Sequence, residues 1–424
     1  MSLRRIVCDR LIESVGRGEK FMINIAVLGY GTVGSGVVEI IERNKDTVNK
    51  KAVNELNVKY ILDLRDFPDD PYGDRVVHDF NQILNDDEVS IVCETMGGVG
   101  PAYQFTKSAL EKGKSVCTSN KELVAKHGPE LLETAKEHNC NYLFEASVGG
   151  GIPIIRPINY SLTAEKIENI TGILNGTTNY ILSKMEKEGA DFEEVLKEAQ
   201  EKGYAERNPE ADVEGHDACR KIAILSSLMM GKNVDSEKLY TKGITKVTAA
   251  DFLYAKECGC TIKLLAKSDR FSDDEVLAFV SPFMISKEHP LAMVNDVFNA
   301  VFVTGNMLGD SMYYGKGAGK LPTASAVVSD IIDCARHQGK VITCFWDKED
   351  AKLVSLEDVK RKFFIRALSY SKETLKNVLH GGQLIELEDR TDDFGYITDM
   401  ITEREFNDAC AALGDAVLGT LRMI

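Results

Sequence analysis

The sequence predicts an α/β chain of two or three domains, and three observations carry that expectation. Ile23–Leu28 is an apolar, strand-like run that opens directly into Gly29-Tyr-Gly31-Thr-Val-Gly34. Strand-like runs then alternate with helical stretches as far as Glu145, the pattern of a doubly wound parallel sheet. After about Ile342 the order changes to strand, helix, strand, strand, helix, strand, which is that of a small ferredoxin-like unit.

Composition narrows the function classes. The chain has 424 residues, 44% hydrophobic and 28% charged, the balance of a soluble globular protein. A net charge of −15 argues against nucleic acid or an anionic membrane as the main partner. No apolar run approaches the length of a membrane span. The ten cysteines are scattered, without a Cys-x-x-Cys pair, and are expected to be free thiols in a reducing cytoplasm. No His/Cys cluster has transition-metal spacing. Residues 1–20 lack a secretion-signal core, since Leu11-Ile12 is followed at once by Glu13; they are expected to be an added segment, a stretch before a later start at Met22, or a loose arm.

Taken in order, the first strand and its glycine loop lead into an amphipathic helix ending near Glu42. Strand, glycine loop and helix form the context of a dinucleotide fingerprint, the mark of a Rossmann-type domain. Gly29 permits the tight turn, Gly31 admits a pyrophosphate, and Gly34 lets helix and strand pack. The amides of Thr32 and Val33 would then face phosphate. The second strand is read as Val58–Leu64. Around its end, Asp63 or Asp66 would take a ribose hydroxyl, or Arg65 would clasp a 2′-phosphate, or the two charges would simply pair. Strands Val89–Glu94 and Ser115–Thr118 flank a helix at about Pro101–Lys112. They put Thr95, Ser119 and Lys121 at strand ends, where open parallel sheets bind ligands. Tyr142–Glu145 is read as a further strand. The Gly149-Gly-Gly151 run after it is either a hinge or, with Glu145, a site for a hard cation.

From about Ile154 the pattern changes. Lys166–Leu174 is strand-like, and Asn175-Gly-Thr-Thr-Asn179 starts a helix whose cap residues leave amides for an anionic group or merely close the helix end. A helix Phe192–Lys202 stops at Gly203. The acidic loop Glu206–Asp212 then leads into Asp217 and Lys221, four residues apart on one helical face, and into the wholly apolar Ile222–Met230. A partly desolvated lysine beside a carboxylate can hold a proton and release it. Phe298–Thr304 is a buried strand, and Tyr313–Pro322 a second glycine-rich loop opening a helix to about His337, either closing over a cofactor or making a plain turn.

Read in order, these motifs resemble the homoserine dehydrogenases, from about Ile23 to about Gly339. They are Gly-x-Gly-Thr-Val-Gly at 29–34, Ser-Asn-Lys at 119–121, Glu-Ala-Ser-Val-Gly-Gly-Gly-Ile-Pro at 145–153, Asn-Gly-Thr-Thr-Asn at 175–179, Gly-x-Ala-Glu at 203–206, Asp-x-Glu-Gly-x-Asp-Ala-x-Arg-Lys at 212–221 and Gly-x-Gly-Ala-Gly-x-x-Pro-Thr-Ala at 315–324. The tail is similar to an ACT domain, a small amino-acid-binding regulatory unit. Two positions depart from the pattern: His216 replaces a leucine-like residue, and Ser371-Lys-Glu stands where ACT domains often carry Pro-Gly.

The resemblance implies a dinucleotide-binding domain at 22–148 with 305–340, a substrate and dimerisation domain with an open mixed sheet at 149–304, and an ACT-like regulatory domain at 350–424. It implies NAD(P)H-dependent reduction of L-aspartate 4-semialdehyde to L-homoserine, a step of threonine, methionine and isoleucine biosynthesis. Lys221 would donate the proton to the aldehyde oxygen, Lys121 would assist at the cofactor–substrate junction, and Glu206 and Asp217 would hold the amino acid end, with Asp212 and Thr177 as further substrate contacts. Thr32, Val33, Arg65, Thr95, Ser119, Gly203 and Gly319 would contact the dinucleotide, and Arg65 favours NADPH. Glu145 with the carbonyls of Val148, Gly150 and Ile152 would hold a monovalent cation, usually sodium. The expected assembly is a homodimer or homotetramer with an amino-acid effector on the tail. The chemistry agrees: a hydride reaching the aldehyde carbon leaves negative charge on oxygen, which a lysine ammonium stabilises and then protonates. The competing readings are a non-catalytic amino-acid sensor with a dinucleotide-gated switch and a dehydrogenase for another small amino acid aldehyde.

Overall fold

The computed structural model describes residues 21–424, so the expectations for residues 1–20 lie outside it. The chain divides into two compact units, one reaching Ser161 and taking up Ala318–Lys348, the other formed by Leu162–Gly317 and Glu349–Ile424.

In the first unit, strands β1 (Met22–Leu28), β2 (Glu55–Leu62), β3 (Val76–Val77), β4 (Val89–Glu94), β5 (Ser115–Thr118) and β6 (Tyr142–Leu143) form a parallel sheet in the order β3-β2-β1-β4-β5-β6. Helices α1 (Thr32–Arg43), α2 (Gly100–Glu111) and α3 (Lys121–Glu137) connect them. The order reverses between β1 and β4, so the ends of these two strands define the crevice where such sheets take ligands. Ile25, Val27, Val37, Val38 and Ile41 pack in one core beneath it. Three strand limits differ from expectation, the first being the start of β2 at Glu55 and not Val58. The second strand ends at Leu62, because the Asp63 side chain folds back to bond with the backbone of Tyr30 and Arg65. Strand β6 ends at Leu143, and Glu145 has helical angles (φ −50, ψ −42), because its carboxylate caps three amides further on.

The second unit opens with β7 (Ile167–Ile173), α4 (Gly176–Glu188), α5 (Phe192–Glu201), α6 (Glu210–Val213) and α7 (His216–Met230). It continues with β8 (Tyr240–Thr241), α8 (Ala249–Glu257), β9 (Cys260–Arg270), β10 (Glu275–Ser286), β11 (Phe298–Gly305) and β12 (Gly309–Lys316). Strand β12 corrects the expectation of a long glycine-rich loop: Tyr313–Lys316 pair with β11, and the loop shrinks to Gly317–Gly319. Its side chains alternate between half-buried and exposed at the sheet edge, so no apolar run announced it. Helix α7 is deeply seated: His216 and Arg220 are its only residues that are not buried.

The chain then forms α9 (Lys320–Arg336) of the first unit and returns as β13 (Phe363–Leu368), α10 (Lys372–Val378), β14 (Gly382–Leu387), β15 (Arg390–Thr398), α11 (Glu403–Leu413) and β16 (Val417–Met423). This is the anticipated strand-helix-strand-strand-helix-strand series, with its own core of Phe363, Ile365, Leu375, Phe394 and Phe406. Its sheet is not separate. Residues Phe283 and Met284 of β10 pair with Arg422 and Met423 of β16, giving one eleven-stranded sheet: nine strands follow the path β12-β11-β7-β9-β10-β16-β13-β15-β14, and β8 and the short strand Lys352–Leu353 also pair with β10. Arg366 of β13 adds bonds to Asp251 of α8 (2.8 Å) and Asp393 of β15 (3.1 Å).

Candidate active site

The first set of site residues surrounds the ends of β1 and β4. Gly29 sits at φ +90, a conformation that side chains resist, and its N–H bonds Leu62 O at 2.8 Å. A Cβ on Gly34 would lie 1.9 Å from Gly29 O, whereas one on Gly31 would meet no protein atom within 4 Å. Gly34 therefore serves packing, while Gly31 leaves open space for a close-approaching ligand. Helix α1 has no side-chain cap and no acidic residue in its first turn, so the amides of Thr32 and Val33 are available to an anion. Thr95 acts from below: its hydroxyl lies 3.0 Å from Leu28 O and 2.9 Å from Gly29 O, bracing the loop.

The charged residues after β2 make distinct bonds. Asp66 is exposed and lies 3.1 Å from His78. Asp63 is half-buried: it accepts the Arg65 Nε at 2.9 Å and the Tyr30 N–H at 2.8 Å, which together hold its carboxyl well below the usual range. Arg65 stays 64% exposed, with its guanidinium 5.0 Å from the Phe67 ring. Ser119 follows β5, half-buried, and Lys121 is the first residue of α3, whose cap is Asn120. Asn120 also donates to Gly98 O at 2.6 Å. Gly319 (φ +120) caps α9, whose first turn lies against α1; a Cβ on Gly36 would be 3.0 Å from Lys320 O.

Glu94 escaped the sequence reading because one acidic residue at the end of an apolar strand looks like surface. It is fully buried and accepts from Thr118 Oγ1 (2.6 Å) and Met96 N (2.7 Å), tying the ends of β4 and β5. Burial raises its pKa to about 7, against 4.5 for an ordinary glutamate. The folded form thus binds this proton more tightly than the unfolded chain, so stability is lost as pH rises across that window, by roughly 3 kcal/mol. We expect Glu94→Gln to flatten this part of the pH–stability curve in denaturant titrations. An unchanged slope would refute the assignment.

At the turn after β6, the Glu145 carboxylate accepts the amides of Ile154 (2.6 Å), Ile155 (3.0 Å) and Arg156 (2.7 Å). Val148, Gly150 and Ile152 are buried beside it, with Gly150 at φ +56. The carboxylate oxygens are engaged, so a cation at this turn would be met by main-chain carbonyls. That oxygen-only set suits a hard ion.

The second set belongs to the other unit. The Lys221 side chain is only 10% exposed, and Nζ donates to Leu174 O and to Asp217 Oδ2, each at 2.8 Å. Asp217 Oδ2 also accepts from Asn175 Nδ2 at 2.9 Å, and the same amide reaches Asp212 Oδ1 at 2.7 Å. Asn175 caps α4 through Thr178 N at 2.9 Å. One asparagine therefore links the two carboxylates and anchors the helix, a role the sequence reading treated as capping or anion binding. Thr177 donates to Tyr204 O at 2.6 Å, pinning the loop after Gly203 (φ +72). Glu206 and His216 are both exposed. His216 therefore does not fill core space.

The geometry agrees with comparison to known proteins. Residues 29–145 match the model for the NAD-binding domain of homoserine dehydrogenase, and residues 153–332 match the homoserine dehydrogenase model itself. A homoserine dehydrogenase of Bacillus subtilis is 38% identical over 395 residues, 90% of this chain and 85% of that one. The chain belongs to the homoserine dehydrogenase family. The Synechocystis homoserine dehydrogenase is 48% identical over 317 residues, 73% of each chain. Among solved structures, a homoserine dehydrogenase from Thiobacillus denitrificans superposes with a TM-score of 0.88 at 34% identity, covering 96% of this chain and 99% of that one. A hyperthermophilic archaeal homoserine dehydrogenase in complex with NADPH matches with a TM-score of 0.62 at 28% identity, over 74% of this chain and 97% of that one. The homoserine dehydrogenase assignment makes the chain a nicotinamide-dependent oxidoreductase acting on the CH–OH group of a small molecule in amino-acid biosynthesis. The sensor reading is set aside. No described helix is long and apolar enough to cross a membrane.

Proposed function

We propose that the chain reduces L-aspartate 4-semialdehyde to L-homoserine with Lys221 as proton donor. One observation carries this reading: a lysine ammonium has three N–H donors, and Lys221 spends two of them on Leu174 O and Asp217. The third is left for a carbonyl oxygen. When bound, the reduced nicotinamide supplies the hydride. Lys221 then stabilises the negative charge on the aldehyde oxygen and protonates it, while Asp217 keeps the ammonium oriented. Asp217, Asp212 and Glu206 bind the substrate's ammonium end, beside Thr177. Lys121 assists proton transfer from its place at the start of α3. The direct test follows the absorbance of reduced nicotinamide on addition of aspartate semialdehyde; absence of oxidation with either NADPH or NADH overturns the proposal.

NADPH is the favoured cofactor, held by Gly29, Gly31, Thr32, Val33, Thr95, Ser119, Gly203 and Gly319, with Gly34 contributing through the packing that shapes the loop. The guanidinium of Arg65 at the end of β2 supports this, because it stays 64% exposed to solvent even while it pairs with Asp63. We expect Arg65→Ala to raise KM for NADPH about tenfold, the order of one lost charge-assisted bond, and to leave KM for NADH within about twofold. A wild-type preference for NADH that Arg65→Ala leaves unchanged would overturn it. Sodium is the proposed ion for the turn at 145–152, met by the carbonyls of residues 145, 148, 150 and 152.

We further assign cofactor binding to 22–148 with 305–340, substrate binding and dimerisation to 149–304, and an ACT-like effector role to 350–424. The assembly would be a homodimer or homotetramer. Free buried thiols such as Cys93, Cys117 and Cys219 support a reducing cytoplasm as its setting.

A further inference from the structure

Where β8 and β10 meet the tail, a cavity of about 300 Å³ lies between Lys242, Tyr240, Phe406, Asn407, Cys410 and Thr420. Tyr240 and Asn407 are exposed, so the cavity opens to solvent. Among the described residues, Lys242 Nζ makes only neutral bonds, to Thr420 Oγ1 (3.1 Å) and Thr420 O (3.3 Å). The carboxylates nearby are taken. Glu403 is bound by the buried Arg422 (Nε to Oε2, 3.1 Å), and Asp251 by Arg366 (2.8 Å). Burial, the adjacent Arg422 and, more weakly, Lys246 outside the cavity lining push the Lys242 pKa down, the signature of a cation without a counter-charge. An unneutralised ammonium in a walled pocket attracts an anion, and the pocket's volume suits a small organic one.

The same segment leads to the catalytic carboxylates. Lys242 N–H bonds Val280 O at 2.9 Å, Ile244 N–H bonds Val213 O at 2.8 Å, and Thr245 Oγ1 bonds Glu214 Oε1 at 3.0 Å. A Cβ on Gly243 would lie 2.1 Å from Val213 O, so the segment and the α6–α7 turn touch backbone to backbone. That turn carries Asp212 on one side and Asp217 on the other.

We propose that this cavity binds a small carboxylate, whose ion pair with Lys242 is transmitted through residues 242–245 to the turn holding Asp212 and Asp217. The binding step stands on the cavity alone; the transmission rests on the reading of those two aspartates as substrate groups. The test titrates the full-length protein with butyrate, 2-aminobutyrate and inorganic phosphate, followed by calorimetry. Saturable binding of one or both carboxylates is expected, weakened at least tenfold in Lys242→Met and retained in Lys242→Arg and Lys246→Met. No carboxylate binding, binding of phosphate alone, or equal affinity in Lys242→Met overturns the site. In the wild type the bound carboxylate should also slow alkylation of Cys410, read by peptide mapping; an unchanged rate counts against the site even if Lys242→Met fails to fold. Saturating carboxylate should shift KM for homoserine at least twofold in the wild type and not in Lys242→Met. Binding without a shift in KM overturns the transmission and leaves the binding site standing.

Discussion

Lys221→Met is expected to lose two to four orders of magnitude in kcat, the usual yield of a positioned proton donor, while binding of reduced nicotinamide stays within a few-fold of wild type. Methionine keeps most of the lysine stem, so helix α7 retains its packing. What disappears is the ammonium between Leu174 O and Asp217. Removing one partner of a buried ion pair also costs stability, about 3 kcal/mol or more. Kinetics must therefore be read on protein shown by thermal melting to be folded. Lys221→Ala, with a cavity added, should show the same kcat loss and a larger drop in Tm. Near-normal turnover in either variant removes the proposed role.

Gly34→Ala should have the second largest effect. Its methyl group would fall 1.9 Å from Gly29 O and 2.8 Å from Thr95 Oγ1, so the loop must move. Overpacking of this kind costs about 1–3 kcal/mol, and here it displaces the turn that presents the Thr32 and Val33 amides. KM for the dinucleotide should rise about tenfold or more, accompanied by a lower Tm. Gly31→Ala separates packing from ligand contact. No protein atom lies within 4 Å of the added carbon, so its Tm should match wild type while dinucleotide affinity falls. If Gly31→Ala binds normally, the close approach of a pyrophosphate at that position is wrong.

Much of this architecture could be read from the chain because local and long-range signals coincide. The loop Gly29–Gly34 has the right strand before it and the right helix after it, and the apolar run Ile222–Met230 can only be interior. Edge and boundary features were harder. Strand β12 alternates without an apolar face, so Tyr313–Lys316 read as loop. Glu145 resembled a strand end because its helical angles follow from amides nine to eleven residues away, which no local pattern encodes. The same holds within the site. Asp217 and Lys221 share a helical face by spacing alone, but the Asn175 link to Asp212 and Asp217 spans 37 and 42 residues of sequence. Glu94, Lys242 and Arg422 are charged groups whose burial is created by elements distant in the chain, so composition gives no warning of them.

The pairing of β10 with β16 makes the last 75 residues or so a structural neighbour of the catalytic half, beyond any regulatory duty they perform. A chain cut short near residue 350 would expose the backbone donors and acceptors of Phe283 and Met284 along a freshly bared strand. Such a rim invites recruitment of a second molecule, and precipitation would be the ordinary result. Exchange of this tail between relatives would have to preserve the register of Arg422 and Met423 opposite that strand, or supply another cover for it.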